Sequence, residues 1–337
     1  MSLKRFDAED FVVSSDSITS TLWSTGAPAL TQFFTSSVQE AGSSGNFYVA
    51  VYQTSSTLTT ATPQFEIAYA DASGLGTTLY NTAVPLKSPS QTIYGQYRAL
   101  ILEDENATFT FGTSTNILTA THFWVISIDR AQYKESLFPG SLNLTLSGSG
   151  GTIHLTDDSQ DNKVNQFLGS SRYFQLVSGS NGTAGSLANS GYVANSGSYG
   201  LVFPDLGTIL INPDAIDQSI NVDTLRNSNT NDNNPKTLLT SIIQGASFKL
   251  NSQETISSDY IFVRARNSEF NYSENPSFIS GSTGEVIFEQ FINHPQVYAT
   301  TVGMYNDSNE LLAVAKLSRP LLKDFTKESL VRVKLDF

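Results

Sequence analysis

The chain has 337 residues, 31 Asp and Glu against 19 Lys and Arg, and no cysteine, so its formal net charge is −12. Without cysteine there is no disulfide framework, thiolate-held zinc, iron–sulfur cluster or thiol nucleophile, and a strongly acidic chain is a poor partner for nucleic acid, whose phosphates need clustered Lys and Arg. No apolar run reaches the roughly 18 residues of a membrane span, the first ten residues, MSLKRFDAED, carry no apolar signal sequence, and the length predicts two or three domains or one large β domain made in a cytoplasm.

In chain order, the polar, weakly patterned stretch from Met1 to about Ser20 is expected to be an extended arm that orders on a neighbouring subunit. Phe47–Tyr52 and Phe123–Ile128 are dense apolar runs that predict central strands, and Tyr260–Val263 resembles them. Phe65, Ile67 and Tyr69 alternate with Glu66 and Ala68, as Leu142, Leu144 and Leu146 do with Asn143 and Thr145, which predicts half-buried strands. Ser88-Pro89 followed by Ile93, Tyr97, Leu100 and Ile101 predicts a helix, Asn212-Pro213 a shorter one, and Asn234-Pro235 with Leu238, Leu239, Ile242 and Ile243 a third that Gly245 is placed to stop. Ser147–Gly151 reads as a flexible linker, and Ser178–Ser198 and Asn227–Asn234 as long polar loops. Val297–Tyr305 and Glu310–Leu317 form a hairpin around Asn306–Asn309. Val331, Val333, Leu335 and Phe337 alternate with Arg332, Lys334 and Asp336 in a final strand. These elements predict a mainly β fold: antiparallel β-sandwich-like domains with a few short helices. Boundaries fall near 147 and 246, giving an N-terminal β domain with its arm (1–146), a loop-rich middle region (147–246) and a C-terminal antiparallel domain (247–337).

Candidate chemistry is sparse. His122, His154 and His294 lack metal-ligand spacing and are expected to be structural. Asp157, Asp158 and Asp161 lack the turn glycine and distal glutamate of a calcium loop, so a solvated acidic loop is expected. Glu103-Asp104-Glu105 reads as a solvated turn, and Gly74-Leu75-Gly76 is too short for a nucleotide loop. No nucleophile elbow is present. Tyr48, Tyr52, Tyr69, Tyr80, Tyr94 and Tyr97 suit a sheet core, a protein interface or a sugar groove. No catalytic, cofactor-binding or metal-binding residue is assigned, and no cofactor is expected.

Tyr298–Pro320, YATTVGMYNDSNELLAVAKLSRP, resembles a recurrent pattern in virion proteins of large contractile-tailed bacteriophages, and the E-x-G-L-Y-x-x-x-G-x-L-x-A-V segment of tail-fibre and tail-collar proteins. Gln64–Gly76, Tyr94–Leu102, Asp129–Leu146 and Tyr199–Ala215 are similar to segments of the same kind of protein. The matching residues are strands, turns and Pro/Gly breaks and carry no catalytic motif. The resemblance implies a non-enzymatic virion subunit assembled in the host bacterial cytoplasm, in the baseplate or tail-fibre attachment region of a contractile tail. Its partners would be other virion proteins and its own copies, in a ring of three- or six-fold symmetry, with neither nucleic acid nor membrane. The alternatives are a neck, collar or head-decoration protein, or a carbohydrate-binding β protein at the host surface.

Overall fold

The computed structural model describes residues 4–35, 48–78, 87–113, 116–185, 197–227 and 233–336. In chain order the first elements are β1 (Phe11–Thr21), β2 (Ala29–Leu30), β3 (Phe34–Thr35), β4 (Tyr48–Tyr52), β5 (Pro63–Asp71) and helix α1 (Pro89–Leu102). β6 (Phe109–Thr113), β7 (Asn116–Ala120), β8 (His122–Ile128), β9 (Ser136–Leu137), β10 (Asn143–Gly148) and β11 (Gly151–Asp157) follow. β12 (Gln166–Leu168), β13 (Ser171–Ser180), β14 (Thr183–Ala184), β15 (Gly200–Phe203) and β16 (Thr208–Ile211) lead to α2 (Pro213–Ile220) and α3 (Asn234–Gly245). The last elements are β17 (Phe248–Lys249), β18 (Asn251–Ala265), α4 (Gln290–Asn293), β19 (Val297–Tyr305), β20 (Leu311–Lys323) and β21 (Ser329–Asp336). The fold is mainly β and antiparallel.

The chain forms two compact units: a larger one of residues 18–254, and a smaller one in which residues 1–17 join 255–337. The expected cuts near 147 and 246 both fall inside the larger unit. Ser147–Gly151 is the turn of the β10–β11 hairpin, in which Gly148 pairs with Gly151, so one sheet continues through the first of those cuts.

The larger unit is built on one sheet of order β2-β17-β10-β11-β13-β15-β16-β8-β5-β4-β3, with β12 and β14 attached to β13, curled into a half-barrel. Both faces are covered, which explains the unbroken apolar runs in the central strands. On one face Trp124, Ile126, Ile209 and Ile211 pack with Ile216 of α2 and Leu238 and Ile242 of α3. On the other, Phe123, Val125 and Leu210 pack with Ile93 and Tyr94 of α1 and with Phe109 and Phe111 of the β6–β7 hairpin.

All three predicted helices form, two of them with the expected side-chain caps. The Ser88 side chain accepts from the Gln91 N–H, and Asn212 accepts from the N–H groups of Asp214 and Ala215. In α3 the details differ from the sequence reading. Asn234 lies inside the helix, fully buried. Its Nδ2 donates to the Gly76 carbonyl (2.7 Å), its Oδ1 accepts from the Leu225 N–H (2.8 Å), and its carbonyl accepts from Trp124 Nε1 (3.0 Å). Gly245 is the last helical residue, as expected, but the left-handed cap is Ala246 (φ 54°) and not the glycine. Gly245 is needed for a different reason: a Cβ there would lie 2.0 Å from the Thr145 carbonyl oxygen of β10. Two opposite stability changes should follow. Gly245→Ala should cost about 2 kcal/mol or more through overpacking. Ala246→Gly should add about 1 kcal/mol by relieving a non-glycine left-handed residue. Urea denaturation midpoints check both.

Part of the expected Ser178–Ser198 loop is also structured. Ser180 pairs with Thr183 across Asn181-Gly182 (φ 51° and 80°), a tight two-residue hairpin turn; residues 186–196 lie outside the described residues.

In the smaller unit, β1, β18 and β21 form a sheet with β18 in the middle. β18 and β21 pair from Ser258↔Asp336 to Ala265↔Ser329. Val331, Val333 and Leu335 face the unit's core and Arg332, Lys334 and Asp336 face solvent, as their alternation predicts; Phe337 lies outside the described residues. The expected N-terminal arm is instead a strand from Phe11 onward, hydrogen-bonded beside β18. The β19–β20 hairpin turns at Asn306–Asn309. Asn306 Oδ1 accepts from the Glu310 N–H (2.8 Å) and Asn309 takes a left-handed φ of 61°. At the other end a single residue, Thr300, stands opposite Leu317–Pro320, a bulge where Pro320 needs no partner for a backbone N–H.

Candidate interaction surface

The two units bury apolar surface very unequally. Among the described residues, four buried apolar side chains belong to the smaller unit: Ile261, Phe278, Met304 and Val333. Fifteen of the twenty-five exposed large apolar side chains belong to it as well. The physical reason lies in the strands. The hairpin packs one face, Met304, Ala313 and Ala315, on Ile261 and Val333. Its other face carries Leu312 (69 % exposed) and Val314 (58 %), and Val314 also lines the groove described below. Tyr305 folds across Gly303 on the hairpin, where a Cβ would lie 3.0 Å from its ring.

A second apolar group lies in the loop before β19. Phe278 stacks on Phe291 (4.8 Å, 12° between planes), and Tyr272 and Phe288 meet these rings edge-on. Phe288 is 51 % and Ile292 64 % exposed.

A groove of about 880 Å³ runs between the N-terminal segment, β18 and the hairpin; Phe6, Phe270, Tyr272, Val302 and Leu321 are among its lining residues. Several of its charges are already engaged within the unit. Lys4 Nζ donates to Glu269 (3.0 Å) and to the Arg264 carbonyl (2.9 Å). Lys323, buried, donates to the Asn267 and Asp324 carbonyls and to Asn271 Oδ1. The Arg266 backbone N–H and Lys4 hold the Glu269 carboxyl below the usual carboxylate range. These bonds tie the N-terminal segment and the 266–271 turn to the hairpin.

The residues singled out in the sequence are dispersed. Asp157 and Asp158 are buried, not solvated as expected, because they serve the backbone. Asp157 accepts from the N–H groups of Gly140 (2.9 Å) and Ser159 (3.1 Å), and Asp158 from that of Gln175 (2.8 Å). Burial pushes both carboxyls up, Asp158 to about 6. Asp161, nearby, accepts from the Ala184 N–H. Glu103–Glu105 is an exposed turn after α1. The 74–76 glycine pair receives hydrogen bonds from Ser88 and Ser90 on its Gly74 and Leu75 carbonyls, which leaves it as the seat of α1. His154 Nδ1 lies 3.1 Å from Thr145 Oγ1, and His294 follows α4. Tyr69 and Tyr94 are core residues, Tyr48 is exposed, and Tyr80 lies outside the described residues.

His122 is buried at the start of β8, with Nε2 3.5 Å from Asp214 Oδ1; burial lowers its pKa and Asp214 opposes that shift. Beside it, Asp71 is fully buried. Asp71 accepts from the Ser73 and Leu75 N–H groups and, at 2.7 Å, from Arg226 Nε, which pins the 221–227 loop to the end of β5. Among the described residues no three His, Asp or Glu gather as a metal site, and no helix is long and apolar enough to cross a membrane. Comparison of the chain with protein-family models, with curated proteins and with solved structures finds no match.

Proposed function

We propose that this chain is a non-enzymatic structural subunit of a tailed-bacteriophage virion, placed in the baseplate or tail-fibre attachment region of a contractile tail. It works by contact with other virion proteins and with its own copies in a ring of three- or six-fold symmetry. One observation carries this reading: among the described residues the smaller unit exposes fifteen large apolar side chains over a core of only four buried ones. Apolar surface of that extent on one unit marks a protein-contact face, and covering a large apolar side chain is worth about 1.5–3 kcal/mol. The resemblance of Tyr298–Pro320 to virion proteins points to the same hairpin.

Quantitative mass spectrometry of purified particles, whole and as separated tails, tests the reading. A copy number that is a small multiple of three or six, retained with tails, is expected. Hundreds of copies would favour a neck, collar or head-decoration role, and absence from particles would overturn the virion assignment. The groove supports a second reading, a glycan-contacting protein at the host surface, because Tyr272, Tyr305, Asp10 and Asp307 all line it. Binding to host-surface glycans in an array would favour that alternative.

A further inference from the structure

We infer that copies of this chain join head to tail, with the 285–292 loop of one copy docked on the outer face of the β19–β20 hairpin of the next. This rests on the ring reading above and names the surfaces it uses. Two exposed patches in the smaller unit are complementary. The first, Glu285–Ile292, presents Ile287, Phe288 and Ile292 with Glu285 and Glu289, all exposed, and the whole Glu285–Asn293 segment has no basic residue. The second, on β20, presents Leu312 and Val314 with the exposed Lys316 and Arg319, and β20 contains no acidic residue.

In the sequence the patches adjoin opposite ends of one hairpin. The first leads into β19 at Val297, which pairs with Lys323, whereas Leu312 and Val314 sit by the turn, where Tyr305 pairs with Leu311. At about 3.3 Å per residue, the stretch of β19 from Val297 to the partners of Val314 and Leu312 spans roughly 20–25 Å. Pairing a patch with its own kind would oppose two carboxylates to two carboxylates, or cations to cations. Pairing unlike patches matches two acids to two bases around an apolar centre. Unlike patches on one chain make a heterologous contact, which closes into a ring when the rotation permits.

Charge reversal in the full chain tests this, read by sedimentation velocity with thermal melts as the folding control. Glu285→Lys with Glu289→Lys, and separately Lys316→Glu with Arg319→Glu, should each weaken self-association at least ten-fold. An equimolar mixture of the two variants should associate again, because each acidic patch then meets a basic one. Wild-type-like association of both variants would overturn the head-to-tail contact and leave the ring reading standing; a wild-type chain that never associates would overturn both. The absence of cysteine allows a second route that leaves these charges in place. Mixed Phe288→Cys and Val314→Cys single variants should form a 288–314 disulfide between copies under mild oxidation. Only 288–288 and 314–314 products would contradict the contact.

Discussion

Deleting residues 1–17 should unfold the smaller unit while leaving the larger one intact. Phe11–Ser17 supplies an outer strand of the β1-β18-β21 sheet, Lys4 is bonded to Glu269 and to the Arg264 carbonyl, and buried Asp10 lies 3.8 Å from the Arg264 guanidinium. The core beneath holds little in reserve: its buried members are Ile261, Met304 and Val333, against the many that pack both faces of the large sheet. Small cores sit close to the stability threshold, so losing one strand suffices. Native-state hydrogen exchange checks this directly. The amides of β18 from Ser258 onward and of β21 should lose protection in the truncated chain, and those of β5 and β8 should keep it. Unchanged protection in β18 and β21 would make the N-terminal segment an appendage, as its sequence alone suggests.

Asp158→Asn should stabilise the chain at pH 7 by about 3 kcal/mol, and the gain should vanish near pH 4. Burial raises the Asp158 carboxyl from 3.8 to about 6, with neighbouring Asp157 adding to the rise. The folded chain therefore binds more protons than the unfolded chain between those two values. Stability from this group is complete below about pH 4 and is lost as the pH climbs through 6. Roughly two units at 1.36 kcal/mol each set the size of the effect. Asparagine keeps an oxygen for the Gln175 N–H and carries no charge to desolvate. Denaturant midpoints for the two chains at pH 4, 5.5 and 7 should converge toward acid. A gap that is constant with pH would show that the substitution acts through packing instead.

Much of the larger unit was legible because its strands are covered on both faces. Phe123–Ile128 has no polar break, since Phe123 and Val125 meet α1 and the β6–β7 hairpin while Trp124 and Ile126 meet α2 and α3. Ser or Asn followed by Pro located all three helices, although in α3 the Asn lies inside the helix instead of capping it. The misses have physical causes. β1 was not seen as a strand because it is exposed on both faces and so carries no alternation. The smaller unit was invisible as a unit because it is assembled from the two ends of the chain, which no local composition records. Asp157 and Asp158 looked like a solvated cluster because the backbone N–H groups they serve lie on distant segments. The exposed apolar patches were missed because Leu312 and Val314 alternate just as a buried strand would, and only the packed structure separates the face against Ile261 from the exposed one.

Native mass spectrometry of the purified full chain over a range of concentrations tests most directly whether the smaller unit is an assembly surface. Closed oligomers in multiples of three are expected, and they should dissociate when Leu312 and Val314 are both changed to Asp. A wild-type chain that stays monomeric up to the highest concentration measured would contradict it.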